Sequence, residues 1–186
     1  GDYVHREARY VAATARELAR LSAPLGVFSI LGNHDYYAGH ALTLAELSKN
    51  NIPCLVNAGQ RITKGGDTLW LGGVDDLCRG HPRPAMALQG AQSGEPIILL
   101  SHSPDVAETL DDARVGLMLC GHTHGGQVRL PLIGSPIIPS RYGQKYASGL
   151  VKAPKTNCFV TRGVGTIFPP VRINCPPEIA LLTLTA

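Results

Sequence analysis

Three short polar motifs in the sequence carry residue types suited to metal and phosphate chemistry. In chain order they are Gly32-Asn33-His34-Asp35, Ser101-His102-Ser103-Pro104-Asp105 and Gly121-His122-Thr123-His124-Gly125-Gly126. Each motif directly follows a run of apolar residues, and open α/β sheets bind ligands at the carboxyl ends of their strands. We therefore expect the three motifs to converge on one site.

The side chains of these motifs form a ligand set of imidazole, carboxylate and amide groups. Such a set suits Mn²⁺, Fe or Zn²⁺ and is poorly suited to Ca²⁺ or Cu(I). His102, His122 and His124 are the candidate imidazole ligands, and Asp2 can add a carboxylate at the same edge of the sheet. His122 and His124 lie two residues apart, so they can either face one ion or reach two different ions.

Other residues of the motifs are candidates for contacting a substrate. Asn33 can bind a metal through its amide oxygen and face the substrate, with His34 directed at the substrate beside it. Asp35 is placed to orient the His34 ring and raise its basicity. Gly125 allows the backbone to approach a metal or a phosphate closely. Arg141 is a candidate phosphate contact because a guanidinium matches phosphate oxygens, although an ordinary solvated arginine is an equal alternative.

Three further histidines lie outside the motifs. His5 follows Asp2 by three residues and is either an exposed helix residue or part of the site. His40 and His81 lie in segments rich in glycine and proline, and we expect both to be solvated.

The spacing of apolar residues predicts the elements that position these motifs. Apolar positions recur at helical spacing over residues 5–22 and 41–47. Short apolar runs predict strands at residues 27–31, 68–74, 96–100, 115–120, 157–162 and 179–185. Because helices alternate with wholly apolar strands before a β-rich last third, we predict one α/β domain over residues 1–186, with a sheet buried by helices.

Composition excludes several classes of protein. Only 17% of the 186 residues are charged, and the net charge is +3, which disfavours both a disordered chain and a nucleic-acid partner. No apolar run approaches the roughly 18 residues that a membrane-spanning helix needs.

Four motifs carry a resemblance to a known family, and in chain order they are Gly1-Asp2, Gly32-Asn33-His34-Asp35, Ser101-His102 and Gly121-His122-Thr123-His124. They resemble the calcineurin-like metallophosphoesterases, whose pattern is DxH, GD, GNH[DE], H and GHxH. Later segments are similar to one bacterial branch of exported or membrane-associated phosphodiesterases, to which a UDP-diacylglucosamine pyrophosphatase belongs; these segments are residues 125–128, 161–166, 169–172 and 177–179. The resemblance spans essentially the whole chain.

The resemblance implies a layered β-sandwich flanked by helices and a site with two divalent metal ions. Manganese is the expected metal, with iron or zinc as alternatives. The implied ligands are Asp2 as the bridge between both ions, Asn33, His102 and His122 on one ion, and His124 on the other. The resemblance also implies hydrolysis of a phosphodiester or pyrophosphate bond by a metal-bridging hydroxide. His34 would then protonate the leaving oxygen, with Asp35 behind it.

The family's DxH motif has no counterpart in this sequence. The resemblance therefore predicts a domain that lacks its N-terminal strand, with one metal short of two ligands. A truncated, non-catalytic domain that binds metal or phosphate is the alternative to an enzyme. The implied substrate is small and phosphorylated, linked to a lipid or a nucleotide sugar. Contact with a membrane surface, or export, would depend on a segment before Gly1.

Overall fold

A mixed six-stranded sheet forms the centre of the protein. The computed structural model describes residues 1–184. The strands are β1 (Ala58–Lys64), β2 (Asp67–Gly73), β3 (Ile97–Leu100), β4 (Val115–Cys120), β5 (Gly149–Lys152) and β6 (Asn157–Val160). They are arranged in the order β1-β2-β3-β4-β6-β5, with parallel pairing from β2 to β6 and an antiparallel neighbour at each edge. The parallel centre places several strand ends at one edge.

Helices and short 3-10 turns connect these strands. The helices are α1 (Val11–Leu18), α2 (Asn33–Ala38), α3 (His40–Lys49), α4 (Pro84–Ala87) and α5 (Val106–Thr109), with 3-10 turns at Ala8–Tyr10, His124–Gly126 and Gly143–Tyr146. The predicted helix over 5–22 is therefore shorter, since α1 buries only Val11 and Ala15 and the chain around it is exposed. Within residues 1–184, no helix is long and apolar enough to cross a membrane.

The two faces of the sheet are covered differently. On one face, α4, α5 and the turn containing Tyr146 enclose a continuous buried core that includes Leu99 and Met118. On the other face, Ile30 and Leu55 pack against Leu71 and Ile98. This arrangement confirms the α/β fold that the sequence predicts.

The strand predicted over 27–31 is reduced to a single parallel bridge between Ser29 and Cys54. Ile30 and Leu55 lie next to that bridge and pack against the sheet, but within residues 1–184 the named strands form one sheet, so the second sheet of the expected sandwich is not formed there. The strand predicted over 179–185 does not form at residues 179–184, and Thr185 lies outside the described residues.

Hydrogen bonds between loops bring the strand ends together. The Ser101 N–H donates to the Leu119 carbonyl oxygen at 3.1 Å, and the Gly121 N–H donates to the His102 carbonyl oxygen at 3.0 Å. These bonds extend the pairing of β3 and β4 beyond the strands themselves. As a result the loops that carry His102 and His122 lie side by side.

Candidate active site

Asp2, His102 and His122 form a compact cluster at this edge of the sheet. One potential ligand atom from each residue lies within 4.8 Å of the others. The His102 and His122 rings approach edge to face, with their centroids 5.0 Å apart. The loops that follow β3 and β4 therefore converge, and Asp2 joins them from the N-terminal segment.

Among the ligands that the sequence predicts, three atoms are buried without a hydrogen-bond partner: Asp2 Oδ2, Asn33 Oδ1 and His102 Nε2. Asp2 Oδ2 and His102 Nε2 are 2.9 Å apart, yet they do not have hydrogen-bond geometry. Buried polar atoms are normally satisfied, because leaving one unpaired costs about 1–3 kcal/mol. A divalent cation requires oxygen and nitrogen lone pairs that are close together and free, and Asp2 Oδ2 and His102 Nε2 meet this condition. The residues present therefore fit a metal such as manganese, iron or zinc.

Asp2 is fixed in place by the segment around α2. Its Oδ1 accepts the His34 N–H at 2.8 Å, and its own N–H donates to Asp35 Oδ2 at 2.7 Å. Gly32 must be glycine here, because a Cβ at that position would lie 2.3 Å from Asp2 Oδ1. The Gly32-Asn33-His34-Asp35 motif thus holds the Asp2 carboxylate in position, in addition to supplying candidate ligands of its own.

The protonation states of the cluster suit metal binding near neutral pH. Burial alone would raise the pKa of Asp2, but the nearby His102 ring and the His34 N–H outweigh it and lower that pKa to about 2. Burial lowers the pKa of His122 to about 4, and the neighbouring His102 acts in the same direction. The pKa of His124 is also lowered, mainly by burial. Asp2 is therefore ionised and the imidazoles of His122 and His124 are neutral.

His124 lies beside this cluster rather than within it. Both His122 and His124 adopt left-handed backbone conformations, with φ of +66° and +52°. Such conformations are uncommon for residues other than glycine and persist only where the surroundings hold them. Arg172 is one such support, because its guanidinium donates to the His124 carbonyl oxygen at 3.1 Å and to the Arg162 carbonyl oxygen at 2.8 Å.

Asp35 has a different role from the one that the sequence suggests. Its carboxylate accepts backbone N–H groups from Asp2, Tyr3 and Gly32, at 2.7–2.9 Å. The bond from Gly32 is also a capping interaction at the start of α2. The His34 ring instead directs Nδ1 at the His5 carbonyl oxygen and stacks on the His5 ring, with centroids 4.5 Å apart.

The two remaining sequence candidates, Gly125 and Arg141, make contacts that do not involve the buried ligand atoms. Gly125 has a φ of +63°, and a Cβ there would lie 2.6 Å from the Cys175 sulfur, so packing explains this glycine. The Arg141 side chain is exposed, while its N–H donates to Asp105 Oδ2 at 2.9 Å. Substrate contacts by Gly125, Arg141 and Asn33 stay predictions.

Several residues near the site were missed by sequence reasoning. The Tyr37 ring contacts His34, and Arg6 and Arg79 lie against that tyrosine; the three residues come from separate segments that no motif links. Asp76 is fully buried with its Oδ1 unpartnered, and the charges of Asp2 and His102 both affect its pKa. The pair Asp75-Asp76 at the end of an apolar run was the available signal for that residue.

The α/β fold and the buried group of possible metal ligands are those of a phosphoesterase domain. Residues 1–126 match the calcineurin-like phosphoesterase family, and the chain belongs to that family. The family is one of phosphoester hydrolases that typically depend on divalent metal.

Among individual proteins, the chain is 35% identical to phosphodiesterase YaeI of Escherichia coli, over 99% of this chain and 68% of YaeI. It is 36% identical to the uncharacterized metallophosphoesterase YkuE of Bacillus subtilis, over 90% of this chain and 59% of YkuE. It is also 31% identical to the bovine transmembrane protein with metallophosphoesterase domain, over its whole length and 45% of that protein. No solved structure matches the chain.

Proposed function

We propose that this chain hydrolyses a phosphodiester or pyrophosphate bond in a divalent-metal-dependent reaction, with His34 as the proton donor. The proposal is carried by the buried, unpartnered atoms Asp2 Oδ2, Asn33 Oδ1 and His102 Nε2, of which the first and the last lie 2.9 Å apart. These residues, with His122, would hold a divalent ion. Such an ion supplies Lewis-acid activation of a water and neutralises charge on the phosphoryl oxygens.

His34 is positioned by the same residue that would bind the metal. Its backbone N–H donates to Asp2 Oδ1, which holds the first turn of α2 against the ligand cluster. Its Nδ1 faces the His5 carbonyl oxygen, an acceptor that favours a proton on that nitrogen. With Nδ1 engaged in this way, Nε2 is the ring nitrogen that would face the leaving oxygen and carry the proton that is transferred. A general acid in this position contributes about 10²–10⁴-fold to the rate.

A second ion would lie between Asp2 and His124. The support is electrostatic, since the Asp2 carboxylate raises the pKa of His124 against the stronger effect of burial. Manganese is the metal we propose first, with iron and zinc as alternatives, because imidazole and carboxylate ligands suit all three.

The substrate that we propose is small and phosphorylated, linked to a lipid or a nucleotide sugar rather than part of a nucleic acid. The modest net charge of +3 supports this choice, because nucleic-acid binding depends on neutralising many phosphates. The E. coli relative is named a phosphodiesterase. The chain spans 59% of YkuE and 40–49% of several other relatives, so the substrate of the whole protein is part of the proposal.

A non-catalytic domain that binds metal or phosphate is the alternative that we favour less. The backbone N–H of His34 donates to the carboxylate of Asp2, so an imidazole that can act as an acid lies next to the proposed metal ligands. A domain that only binds metal or phosphate does not need such an acid.

A metal-dependence assay separates the two functions. The purified chain is freed of metal with a chelator and assayed on bis-p-nitrophenyl phosphate before and after addition of Mn²⁺, with bound metal measured in parallel. We expect p-nitrophenol release only with metal, in step with occupancy. Metal binding without turnover would overturn the catalytic proposal in favour of the binding alternative.

A further inference from the structure

An exposed group of basic and aromatic side chains lies on the outer side of His34. We call Arg6, Tyr37 and Arg79 the arginine–tyrosine platform. The Arg6 and Arg79 guanidinium carbons lie 5.2 Å and 4.5 Å from the centre of the Tyr37 ring, and Arg79 Nε donates to the Tyr37 hydroxyl at 3.0 Å. The Tyr37 and His34 rings meet edge to face, with centroids 5.5 Å apart. The platform therefore adjoins the proposed proton donor.

Both guanidiniums of the platform lack a carboxylate partner among the described residues. Within residues 1–184, neither Arg6 nor Arg79 makes an ion pair, whereas several other arginines do. Glu7, the acidic neighbour of Arg6 in the sequence, pairs with Arg9 at 2.5 Å. Both guanidinium carbons lie within 5.2 Å of the centre of one ring, so two uncompensated positive charges share a small surface, and an anion bound there would be favourable.

The backbone beneath Arg79 is held firmly, although the side chain is exposed. The Arg79 N–H donates to Asp76 Oδ2 at 2.6 Å, and the Cys78 N–H donates to the same oxygen at 2.8 Å. The Asp76 carboxylate accepts the backbone N–H groups of the turn that carries Arg79, and it does not pair with the guanidinium. Tyr37 lies in α2, the helix that also carries Asn33 and His34. The platform is thus built on the same rigid segments as the proposed metal centre.

From this placement we infer that the platform binds a second phosphate group of the substrate, on the leaving-group side of the bond that is cut. The inference rests on the proposed function, and it selects pyrophosphate-linked substrates over simple diesters. Guanidinium forks match phosphate oxygens geometrically, and hydrogen bonds between charged groups are the strong ones. A leaving phosphate that extends past His34 reaches the platform, whereas an uncharged leaving group leaves both arginines unused.

The reaction implied is hydrolysis of a pyrophosphate diester into two phosphate monoesters. The oxygen of water bonds to one phosphorus, and the bridging P–O bond breaks with its electron pair going to the second phosphate. The water gives up one proton, and His34 delivers one proton to the departing oxygen and is later reprotonated. The platform neutralises the negative charge that this departing phosphate acquires.

A comparison of two substrates tests this inference in the metal-loaded protein. We measure kcat/KM for a nucleoside diphosphate sugar and for bis-p-nitrophenyl phosphate, which has one phosphate, in the native chain, in Arg79→Ala and in Arg6→Ala/Arg79→Ala. The ratio of the two constants should fall about tenfold in the single variant and further in the double variant. Arg16→Ala, which removes an exposed arginine from α1, is the matched control and should keep the native ratio. An equal loss on both substrates would overturn the inference.

A binding measurement on metal-free protein keeps the test independent of catalysis. Titration calorimetry with methylenediphosphonate and with methylphosphonate should show tighter binding of the diphosphonate, with that preference lost in the double variant. Failure of the native chain to bind methylenediphosphonate, or unchanged binding by the double variant, would overturn the inference. If no substrate is hydrolysed but the diphosphonate preference is present and depends on Arg6 and Arg79, the proposed function fails while the phosphate-binding platform stands.

Discussion

The two sides of His34 are built on opposite physical principles. On the inner side, Asp2, Asn33 and His102 are largely buried, and their ligand atoms are unpaired. On the outer side, Tyr37 is 43% exposed, and its contacts with Arg6 and Arg79 are stacking and polar contacts at the surface. The inner side holds its ligand atoms in place without hydrogen-bond partners, ready for a cation. The outer side carries positive charges without counter-ions and is open to solvent.

This difference suggests a division of labour within one site. Buried ligand atoms without partners make the binding of a cation strongly favourable, and the proposed reaction depends on that cation. Exposed guanidiniums contribute less per contact, because water competes for them, and they can discriminate between substrates. Changes on the inner side should therefore abolish turnover, and changes at the outer side should alter selectivity.

The largest effect should come from His102→Ala. This change removes one of three converging ligand atoms, so we expect loss of bound metal and a fall in kcat on the order of 10³-fold. Metal content by elemental analysis and turnover of bis-p-nitrophenyl phosphate check this prediction. Native metal occupancy in this variant would show that the inner side is not the metal site.

His34→Ala should lower kcat by about 10²–10³-fold while leaving the metal bound. His34 contributes its backbone N–H to Asp2, which alanine retains, and its ring, which alanine lacks. The matched control is His81→Ala, since the exposed His81 is held through its backbone N–H to Asp75 and its ring has no place in the mechanism. Loss of metal in His34→Ala would show that the His34 ring helps to hold the metal, and it would contradict the division between the two sides of this residue.

The metal-free protein should lose stability as the pH falls from 6.5 towards 4. In this range the unfolded chain protonates His122, whereas the folded protein, with a pKa of about 4, keeps it neutral. Because the unfolded state then binds more protons, the free energy of unfolding falls with decreasing pH, by about 2–3 kcal/mol over the window. The contribution of Asp2 follows at lower pH, between 3.8 and about 2.

Urea unfolding in the presence of a chelator, at several pH values, measures this slope. His122→Gln cannot titrate, so its curve should be flatter than that of the native chain. If the unfolding free energy of both proteins had the same pH dependence, the buried His122 would not be the cause of the loss of stability.

The smallest effect that we predict is that of Asp35→Asn, which tests the connection between the two sides. An amide can keep the N–H bonds of Asp2 and Gly32 but not that of Tyr3, so we expect a loss of about 1–2 kcal/mol in unfolding free energy. The pH dependence of kcat should keep its native form. A shifted pH profile with native stability would instead support a direct action of Asp35 on the His34 ring.

The inner side was predictable from the sequence, because strand ends, glycines and metal ligands are local patterns. Apolar runs ending in histidine or asparagine are sufficient to indicate the convergence of His102 and His122. The α/β class followed from the alternation of helices with apolar strands. Even so, the role of Asp35 was wrong in detail, since three backbone N–H groups from distant segments compete for its carboxylate.

The outer side could not be predicted in the same way. Arg6, Tyr37 and Arg79 are far apart in the sequence, and nothing in their neighbourhoods differs from an ordinary wet surface. Strand β1 was also missed, although Gly65-Gly66, both with positive φ, form the turn that joins it to β2. Its largely polar residues, from Ala58 to Lys64, hide the alternation that predicts an edge strand.

The bonds of Arg172 have a consequence for how the domain can be divided. Its guanidinium joins the carbonyl oxygens of His124, Arg162 and Gly165, so a residue late in the chain holds the backbone of a metal-ligand loop. The family match ends at residue 126. A fragment cut at that boundary would contain every proposed ligand, yet it would lose the anchor of His124. The family match is therefore shorter than the part of the chain that holds the proposed ligands in place, because Arg172 lies beyond it.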